Sequence, residues 1–190
     1  MDGGHSGRER MVNGAIQVFR ERGVAGTSLT DIVERTGAPR GSVYHYFPDG
    51  KAQLAEHATD HAGRIMSAMI SSVLSAAEPA EALDEIVSFF RESLIDSGYD
   101  AGCPVAAGAL AAHESEGARE AAGEAFSSWE STIATALWQR GLSKSRAEVV
   151  ATMVISAIEG ALIVAKAQRS PRPLDRVADE LRRYAAELPG

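Results

Sequence analysis

The most informative side chains of this sequence lie in one short segment, residues 40–47, which reads RGSVYHYF. Val43 and Phe47 stand four positions apart, so on a helix they share one apolar face that packs inward. Gly41 would let the backbone approach a partner closely. The polar side chains left for the other face are Arg40, Ser42, Tyr44 and His45. Hydroxyl groups suit phosphate oxygens, and a guanidinium binds guanine or a phosphate, so the segment predicts a helix that binds DNA.

A second short helix with a tight turn is predicted just before this segment. Ser28 and Asp31 have the spacing of a capping box, with Asp in place of the usual Glu, so the helix runs over about residues 28–36. Gly37 suits its left-handed C-cap, and Pro39 suits the entry to the next helix. Two short helices joined in this way form a helix-turn-helix, whose second helix enters the major groove of DNA.

The rest of the chain has a helical pattern. Val12, Ala15, Ile16 and Phe19 form an apolar stripe, which predicts a first helix from about residue 8 to Gly23. Pro48-Asp49-Gly50 is a turn signal, and Lys51 begins the next helix, where we expect it to reach a phosphate. No alternating segment predicts a strand. Further helices are predicted over residues 51–76, 79–96, 104–114, 117–140, 144–168 and 174–187.

Composition agrees with an all-α fold. Hydrophobic residues make up 45% of the 190 residues and aromatic residues only 6%. Alanine is abundant, and it has the highest helix propensity, whereas strands favour branched and aromatic residues. We expect a three-helix helix-turn-helix domain over residues 1–51 and a helical effector-binding and dimerisation domain over residues 52–190.

Charge and cysteine content limit the classes of protein that fit. The net charge is −7, yet residues 1–51 hold seven Lys or Arg and six Asp or Glu. The acidity therefore lies in the C-terminal part, and the N-terminal part can face phosphates. A single cysteine excludes an intrachain disulfide, and the polar first residues do not resemble a signal peptide, so a cytoplasmic protein is expected.

The stretch 149–167 is almost long and apolar enough to cross a bilayer. Glu159 lies in its middle, and a carboxylate there costs about 2.5–3.5 kcal/mol on insertion scales. We therefore expect no membrane partner, and a helix with one face on its own core and the other on a second subunit. The small residues Ala157, Gly160 and Ala161 would allow a close approach.

Two other groups of residues suggest sensing chemistry. His57 and His61 have metal-ligand spacing on one helix face, although solvated or pocket-rim histidines give the same pattern. Cys103 precedes Pro104, so it falls at a helix N-terminus, where a thiol is more reactive, although a lone cysteine is usually inert and buried. We expect no bound metal or cofactor. No phosphate loop, nucleophile elbow or paired cysteine motif indicates an enzyme.

An effector pocket between the C-terminal helices would be lined by bulky apolar side chains with a few polar anchors. The sequence does not say which faces meet, and most such groups pack in a core. The residues expected to contribute are Met66, Met69, Phe89, Phe90, His113, Trp129 and Met153.

The motifs together resemble a known family. The chain reads TSLTDIV from Thr27, TGAPRGSVYHYF from Thr36 and KAQL from Lys51. Within about residues 8–55 this pattern resembles the tetracycline-repressor (TetR) family. The extra residue in Pro48-Asp49-Gly50-Lys51, and Gly102-Cys103-Pro104-Val105 followed by an Ala-rich helix, resemble its LmrA/YxaF-like branch.

This resemblance implies a homodimer that binds palindromic operator DNA and releases it when a small molecule binds. The last two long helices would form a four-helix interface, and the recognition helices would lie about 34–36 Å apart. By motif position, the family's DNA contacts fall on Thr27, Thr30, Arg40, Gly41, Ser42, Tyr44, His45 and Lys51. The alternatives are a redox or metal sensor on the same scaffold, using Cys103 or His57 and His61, a helical binding protein that does not bind DNA, and an enzyme.

Overall fold

Helices form the whole described part of the chain. The computed structural model describes residues 7–39, 41–111 and 113–186, and within these ranges there is no strand. The expected all-α fold is therefore confirmed. The helices are α1 Gly7–Arg22, α2 Leu29–Thr36, α3 Ser42–Tyr46, α4 Lys51–Ala76, α5 Pro79–Asp96, α6 Pro104–Ala109, α7 Glu116–Gln139, α8 Lys144–Gln168 and α9 Arg172–Ala186.

Most predicted helices are confirmed, but α6 is shorter than residues 104–114. It ends at Ala109, and the next helix begins at Glu116, with Ser115 as its cap. The Ser115 hydroxyl accepts a hydrogen bond from the Ala118 N–H at 3.1 Å and donates one to the Ala52 carbonyl at 2.8 Å. A side-chain cap of this kind stops the alanine-rich segment from continuing as one helix.

The first compact unit contains the described residues up to Arg64 together with Cys103–Glu124. Its core includes the predicted α1 stripe, since Val12, Ala15, Ile16 and Phe19 are all buried. Helix α1 contacts both α2 and α6. The α1–α2 approach is close, because a Cβ added at Gly14 would overlap the Thr36 side chain. The helix-turn-helix is therefore packed on α1 without space between the two helices.

The second compact unit contains Ile65–Gly102 and the described residues from Ala125 onwards. Helix α9 packs on α5 and α8. Two salt bridges join α9 to α5, Arg91 to Asp175 at 2.9 Å and Arg182 to Asp84 at 2.6 Å. Helices α4 and α7 each contribute residues to both units.

Helix α8 is the one described helix that is long and apolar enough to cross a membrane by length and composition. Such a helix is weak evidence for a membrane span, because core helices of other proteins pass the same test. In this chain α8 buries one face, which includes Val150, Ile158 and Leu162, within its own unit. Its opposite face exposes Val149 and Ile163.

Candidate nucleic-acid interface and ligand cavity

The N-terminus of α2 has the predicted capping box. The Asp31 N–H donates to the Ser28 hydroxyl at 3.2 Å, and the Ser28 N–H donates to the Asp31 carboxylate at 2.7 Å. Hydrogen bonds from Ser28 are the largest cause that lowers the pKa of Asp31. Arg22 of α1 also donates to this carboxylate, at 2.9 Å. The start of α2 is thus fixed to its own cap and to α1.

The turn between α2 and α3 depends on a glycine. Gly37 has a φ of 64°, in the left-handed region that side chains other than glycine rarely adopt, and it forms the C-cap of α2 as predicted. The Thr36 hydroxyl donates to the Ile32 carbonyl at 2.9 Å, and the Ser42 N–H donates to the Pro39 carbonyl at 2.9 Å. These bonds set the direction in which α3 leaves the turn.

Two buried side chains hold α3 in place. Val43 is 1% exposed and Phe47 is 0% exposed, so both pack inward as predicted. The guanidinium carbon of Arg8 lies 5.1 Å from the centre of the Phe47 ring, and the His57 ring centre lies 5.7 Å from it. A five-residue helix has too few internal hydrogen bonds to be stable alone. The position of α3 therefore depends on these contacts with α1 and α4.

The opposite side of α3 is open. Tyr44 is 63% exposed, an unusual degree for a large aromatic side chain. His45 and Gly41 are also exposed, and Ser42 is half-buried. Thr30 is exposed on α2. Five of the expected DNA contacts therefore lie where a partner can reach them.

The other expected contacts are placed differently. Thr27 is 3% exposed, and its hydroxyl donates to the Gly23 carbonyl at 2.7 Å. The Lys51 ammonium donates to the Val24 carbonyl at 3.1 Å and to the Thr27 carbonyl at 3.2 Å. Thr27 thus closes the α1–α2 loop on itself, and Lys51 holds that loop against the start of α4. Arg40 lies outside the described residues.

Several positive charges of the helix-turn-helix are already paired. Arg35 of α2 donates to both carboxylate oxygens of Glu21 of α1, at 2.9 and 2.7 Å. This hydrogen bonding is the main cause that lowers the pKa of Glu21. Arg22 of α1 forms a second salt bridge, with Asp31 of α2, so two arginines hold α1 to α2. A nucleic-acid contact through this unit would accordingly depend on hydroxyl, imidazole and backbone groups as well as on charge.

The second unit contains an apolar cavity that is partly open to solvent. Its volume is about 890 Å³, counting the part that is open to solvent. Side chains of α4, α5, α7, α8 and α9 line it, and nearly all of them are aliphatic or aromatic. Trp129 lies in its wall, with its indole N–H donating to the Ser67 hydroxyl at 3.0 Å. A cavity with these walls suits a small, mainly apolar molecule.

Three of the seven expected pocket residues meet in this cavity, namely Met66, Phe90 and Trp129. The other four do not line it. Phe89 and Met153 are 42% and 40% exposed, and His113 is exposed in the first unit. The expected residues outside the lining are Met69, Phe89, His113 and Met153.

Two polar residues that line the cavity, Glu159 and Tyr184, were not among the pocket residues expected from the sequence. The Tyr184 hydroxyl accepts a hydrogen bond from Arg146 at 2.6 Å. The available signal for Glu159 was its place as a carboxylate within an apolar stretch. For Tyr184, no comparable signal exists in the sequence.

The residues considered for sensing chemistry are spread over the first unit. Among the described residues, no group of three or more His, Cys, Asp or Glu side chains could hold a metal ion. His57 packs its ring near Phe47, and His61 is half-buried. Cys103 is 6% exposed. A buried thiol is a poor site for reaction with a solvent oxidant.

The chain is similar to known proteins over most of its length. Residues 12–58 match a family model described as "Bacterial regulatory proteins, tetR family", and residues 79–180 match "Transcriptional regulator LmrA/YxaF-like, C-terminal domain". The HTH-type transcriptional regulator Rv0196 of Mycobacterium tuberculosis is 39% identical over 96% of either chain. The HTH-type transcriptional regulator LmrA of Bacillus subtilis is 34% identical over 88% of this chain and 90% of that protein.

The fold is also that of solved structures. A TetR transcriptional regulator from Legionella pneumophila has a TM-score of 0.82 against this chain, with 18% sequence identity, and the match covers 99% of this chain and 100% of that one. At this identity the likeness shows the fold alone. The proteins that the sequence matches are described as transcriptional regulators rather than enzymes.

Proposed function

This chain belongs to the TetR family of DNA-binding transcriptional regulators, and from this premise we propose that it is a ligand-responsive repressor. In this proposal a small, mainly apolar molecule releases it from operator DNA. The observation that favours this function most is the open polar side of α3, held by buried Val43 and Phe47, together with an apolar cavity in the second unit.

The proposed DNA contact is made by α3 in the major groove. Tyr44 and His45 lie on its open side, where a hydroxyl and an imidazole can reach base edges or phosphates. Gly41 at the start of α3 has no side chain to keep the backbone away from the DNA. Arg40 and Ser42 would bind beside it, and Thr30 would bind a phosphate from α2.

Thr27 and Lys51 have a supporting role in this proposal. Their side chains bond to carbonyls of the α1–α2 loop, which fixes α2 and therefore the turn that leads to α3. A lysine that satisfies two carbonyls inside the unit is less free to neutralise a phosphate.

We propose that two copies associate through α7 and α8, within about residues 117–168. Val149, Met153 and Ile163 lie at helical spacing on the exposed face of α8, and they are 57%, 40% and 62% exposed. Gly160 is exposed on the same face and would allow a close approach of two helices. Trp138 of α7 adds a further apolar group at 57% exposure. Because a twofold interface is self-complementary, one such face suffices for both subunits.

The effector would act through the equilibrium between two states of the dimer. A ligand shifts such an equilibrium only if it binds one state more tightly than the other. Helix α4 contributes residues to both compact units and lines the cavity through Met66, Ile70 and Leu74. A ligand that changes the position of α4 could therefore change the spacing of the recognition helices. In functional terms, residues 1–51 would bind DNA and residues 52–190 would bind the effector and the second subunit, in the cytoplasm.

The proposal is tested by selecting bound fragments from genomic DNA with the purified full-length protein. We expect a palindromic sequence bound with a Kd of about 10⁻⁸–10⁻¹¹ M at physiological salt. A footprint should show two half-sites about one helical turn apart, and the complex should contain a whole number of dimers. Recovery of no sequence above random DNA would contradict the proposal.

A matched pair of variants assigns the contact to α3. Tyr44→Ala should weaken binding to the selected sequence at least tenfold, and Tyr44→Phe separates the hydroxyl from the ring. His61→Ala on α4 serves as the control for His45→Ala, since the same group is removed outside α3. Equal effects of the two histidine variants would argue against the proposed contact.

A further inference from the structure

The Tyr44 ring packs against the protein on one side, although most of its surface is exposed. A Cβ added at Gly50 would lie 3.4 Å from Cε1 of the Tyr44 ring and 3.8 Å from Cδ1 of Leu29. The ring edge and the leucine therefore lie at van der Waals distance over the same glycine, and Gly50 is buried. An aromatic side chain on α3 thus shares its support with a leucine on α2.

The backbone of Gly50 is held in place on both sides. Its N–H donates to the Phe47 carbonyl at 2.8 Å, and its carbonyl accepts from the Leu54 N–H at 3.1 Å. Phe47 and Leu54 are both fully buried. The φ of Gly50 is 65°, in the left-handed region that glycine adopts without strain. The glycine cannot move away from the Tyr44 ring without breaking these hydrogen bonds.

Leu29 is held in place independently of the turn that contains Gly50. It is the first residue of α2, and the capping box between Ser28 and Asp31 fixes that end of the helix. The salt bridge from Arg22 to Asp31 joins the same end to α1. Leu29 is half-buried, and beside the ring it occupies space into which the ring could otherwise turn. A residue of α2 thus limits the conformations of Tyr44.

The Tyr44 hydroxyl stays available while the ring is held. Among the residues that the structure describes, none forms a hydrogen bond with this hydroxyl. The contacts over Gly50 are made by carbon atoms, so they restrict the ring without using its donor. A side chain that must be ordered on binding lowers affinity by roughly two- to tenfold. A ring that is already held avoids this loss when its hydroxyl meets a phosphate.

We propose that Leu29 is a positioning residue for DNA recognition, which together with the Gly50 backbone holds the Tyr44 ring so that its hydroxyl donates to one phosphate of each operator half-site. Leu29 would act only through Tyr44 and would not touch that phosphate itself. This inference rests on the proposed DNA contact of α3, for which it names a residue outside α3 that sets the geometry.

A double-mutant cycle on the full-length protein tests the proposal, with the operator recovered by genomic selection as the probe. Operator affinity is measured at one salt concentration for the wild-type protein, Leu29→Ala, Tyr44→Phe and the double variant. Tyr44→Phe should weaken binding at least tenfold, which is the smaller effect expected for the loss of a hydrogen bond to a charged group. Leu29→Ala should weaken binding at least threefold in the wild-type background. In the Tyr44→Phe background it should weaken binding less than twofold, because no hydroxyl is left to position.

Three variants separate positioning from a general loss of structure. Leu29→Met keeps a long apolar side chain and should retain the wild-type affinity. Leu29→Val is a smaller change that still removes the Cδ1 contact, and it replaces Leu29→Ala in the cycle if that variant does not fold. Leu110→Ala makes the same deletion at an exposed leucine of the first unit and should leave operator affinity unchanged. Thermal unfolding of each variant establishes that it is folded at the assay temperature.

The outcomes distinguish this inference from the proposed function. Equal weakening by Leu29→Ala in the two backgrounds would show that Leu29 only supports the fold, and it would overturn the inference. An affinity that does not change in Leu29→Ala, or in Tyr44→Phe, would also overturn it. In each of these cases the proposed function stands if the wild-type protein still prefers the operator to random DNA. Absence of that preference in the wild-type protein would overturn the proposed function and the inference together.

Discussion

Replacement of Lys51 by methionine separates two roles that a lysine at the start of α4 could have. The structure places its ammonium on the Val24 and Thr27 carbonyls, at 3.1 and 3.2 Å. In that position it holds the loop that precedes α2. The alternative is a direct contact with a DNA phosphate. Lys51→Met keeps most of the apolar part of the side chain and removes the donor.

The size of the effect follows from the two hydrogen bonds. A hydrogen bond to a charged group contributes about 1.5–3 kcal/mol, and the half-buried position of Lys51 argues for the lower end, so we expect the two bonds together to contribute about 3 kcal/mol. For a chain of this length each kcal/mol lowers Tm by about 2–4 °C. Lys51→Met should therefore lower Tm by about 6–12 °C.

The assay combines thermal unfolding with the salt dependence of operator binding. Lys144→Met is the matched control, because Lys144 is the first residue of α8 as Lys51 is of α4, but it is exposed. Each lost phosphate contact would reduce the slope of log K against log salt by about 0.9. We expect Lys51→Met to lower Tm and to keep this slope. An unchanged Tm with a slope reduced by about 0.9 would refute the loop-holding role.

Three further predictions concern the first unit. Phe47→Ala removes a ring that is 0% exposed, so it should cost about 3–5 kcal/mol in urea unfolding and abolish specific DNA binding, because α3 loses its anchor. A Cβ added at Gly108 would overlap the Thr59 side chain, whereas one at Gly123 meets open space. Gly108→Ala should therefore lower the unfolding free energy by about 1–3 kcal/mol and Gly123→Ala should raise it by about 0.5–1 kcal/mol. The hydrogen bond from the α2 guanidinium lowers the pKa of Glu21 from its ordinary 4.5, so its stabilising effect is present above pH 4.5 and is lost as pH falls through the lowered pKa. Glu21→Gln should accordingly reduce the acid sensitivity of unfolding, by at most about 1 kcal/mol for so exposed a pair.

The helix-turn-helix could be predicted from the sequence because its determinants are local. Ser28 and Asp31 cap α2 within one helical turn, and Gly37 ends it through a backbone conformation that glycine favours. Val43 and Phe47 mark the buried face of α3 by their spacing. None of these features depends on distant parts of the chain.

The cavity could be predicted only in part, because it depends on which helix faces meet. Phe89 and Phe90 are adjacent in sequence, yet successive residues of a helix point about 100° apart, and only Phe90 lines the cavity. Met66 and Met69 are about 60° apart on α4, and Ile70, four positions after Met66, lines the cavity whereas Met69 does not. Helical periodicity gives the residues that share a face, but the packing of the helices decides which of those faces encloses space.

The contacts of Lys51 could not be predicted from the sequence either. The motif put a lysine at the start of a helix beside the DNA-binding segment, and a phosphate contact was the simplest expectation. The carbonyls that it binds belong to residues more than twenty positions earlier in the chain, in the loop after α1. Such a contact follows from tertiary structure, which has no signature in the local sequence.

The most direct test of the account is the competition between operator and random DNA for the wild-type protein and for a Tyr44→Ala, His45→Ala double variant, at physiological salt. Both side chains are exposed, so the double variant should unfold at the wild-type temperature. We predict that the wild-type protein prefers the operator by at least about 10³-fold and that the double variant binds both DNAs with similar weak affinity. A folded double variant that retains the operator preference would show that α3 does not read the DNA and would contradict the account.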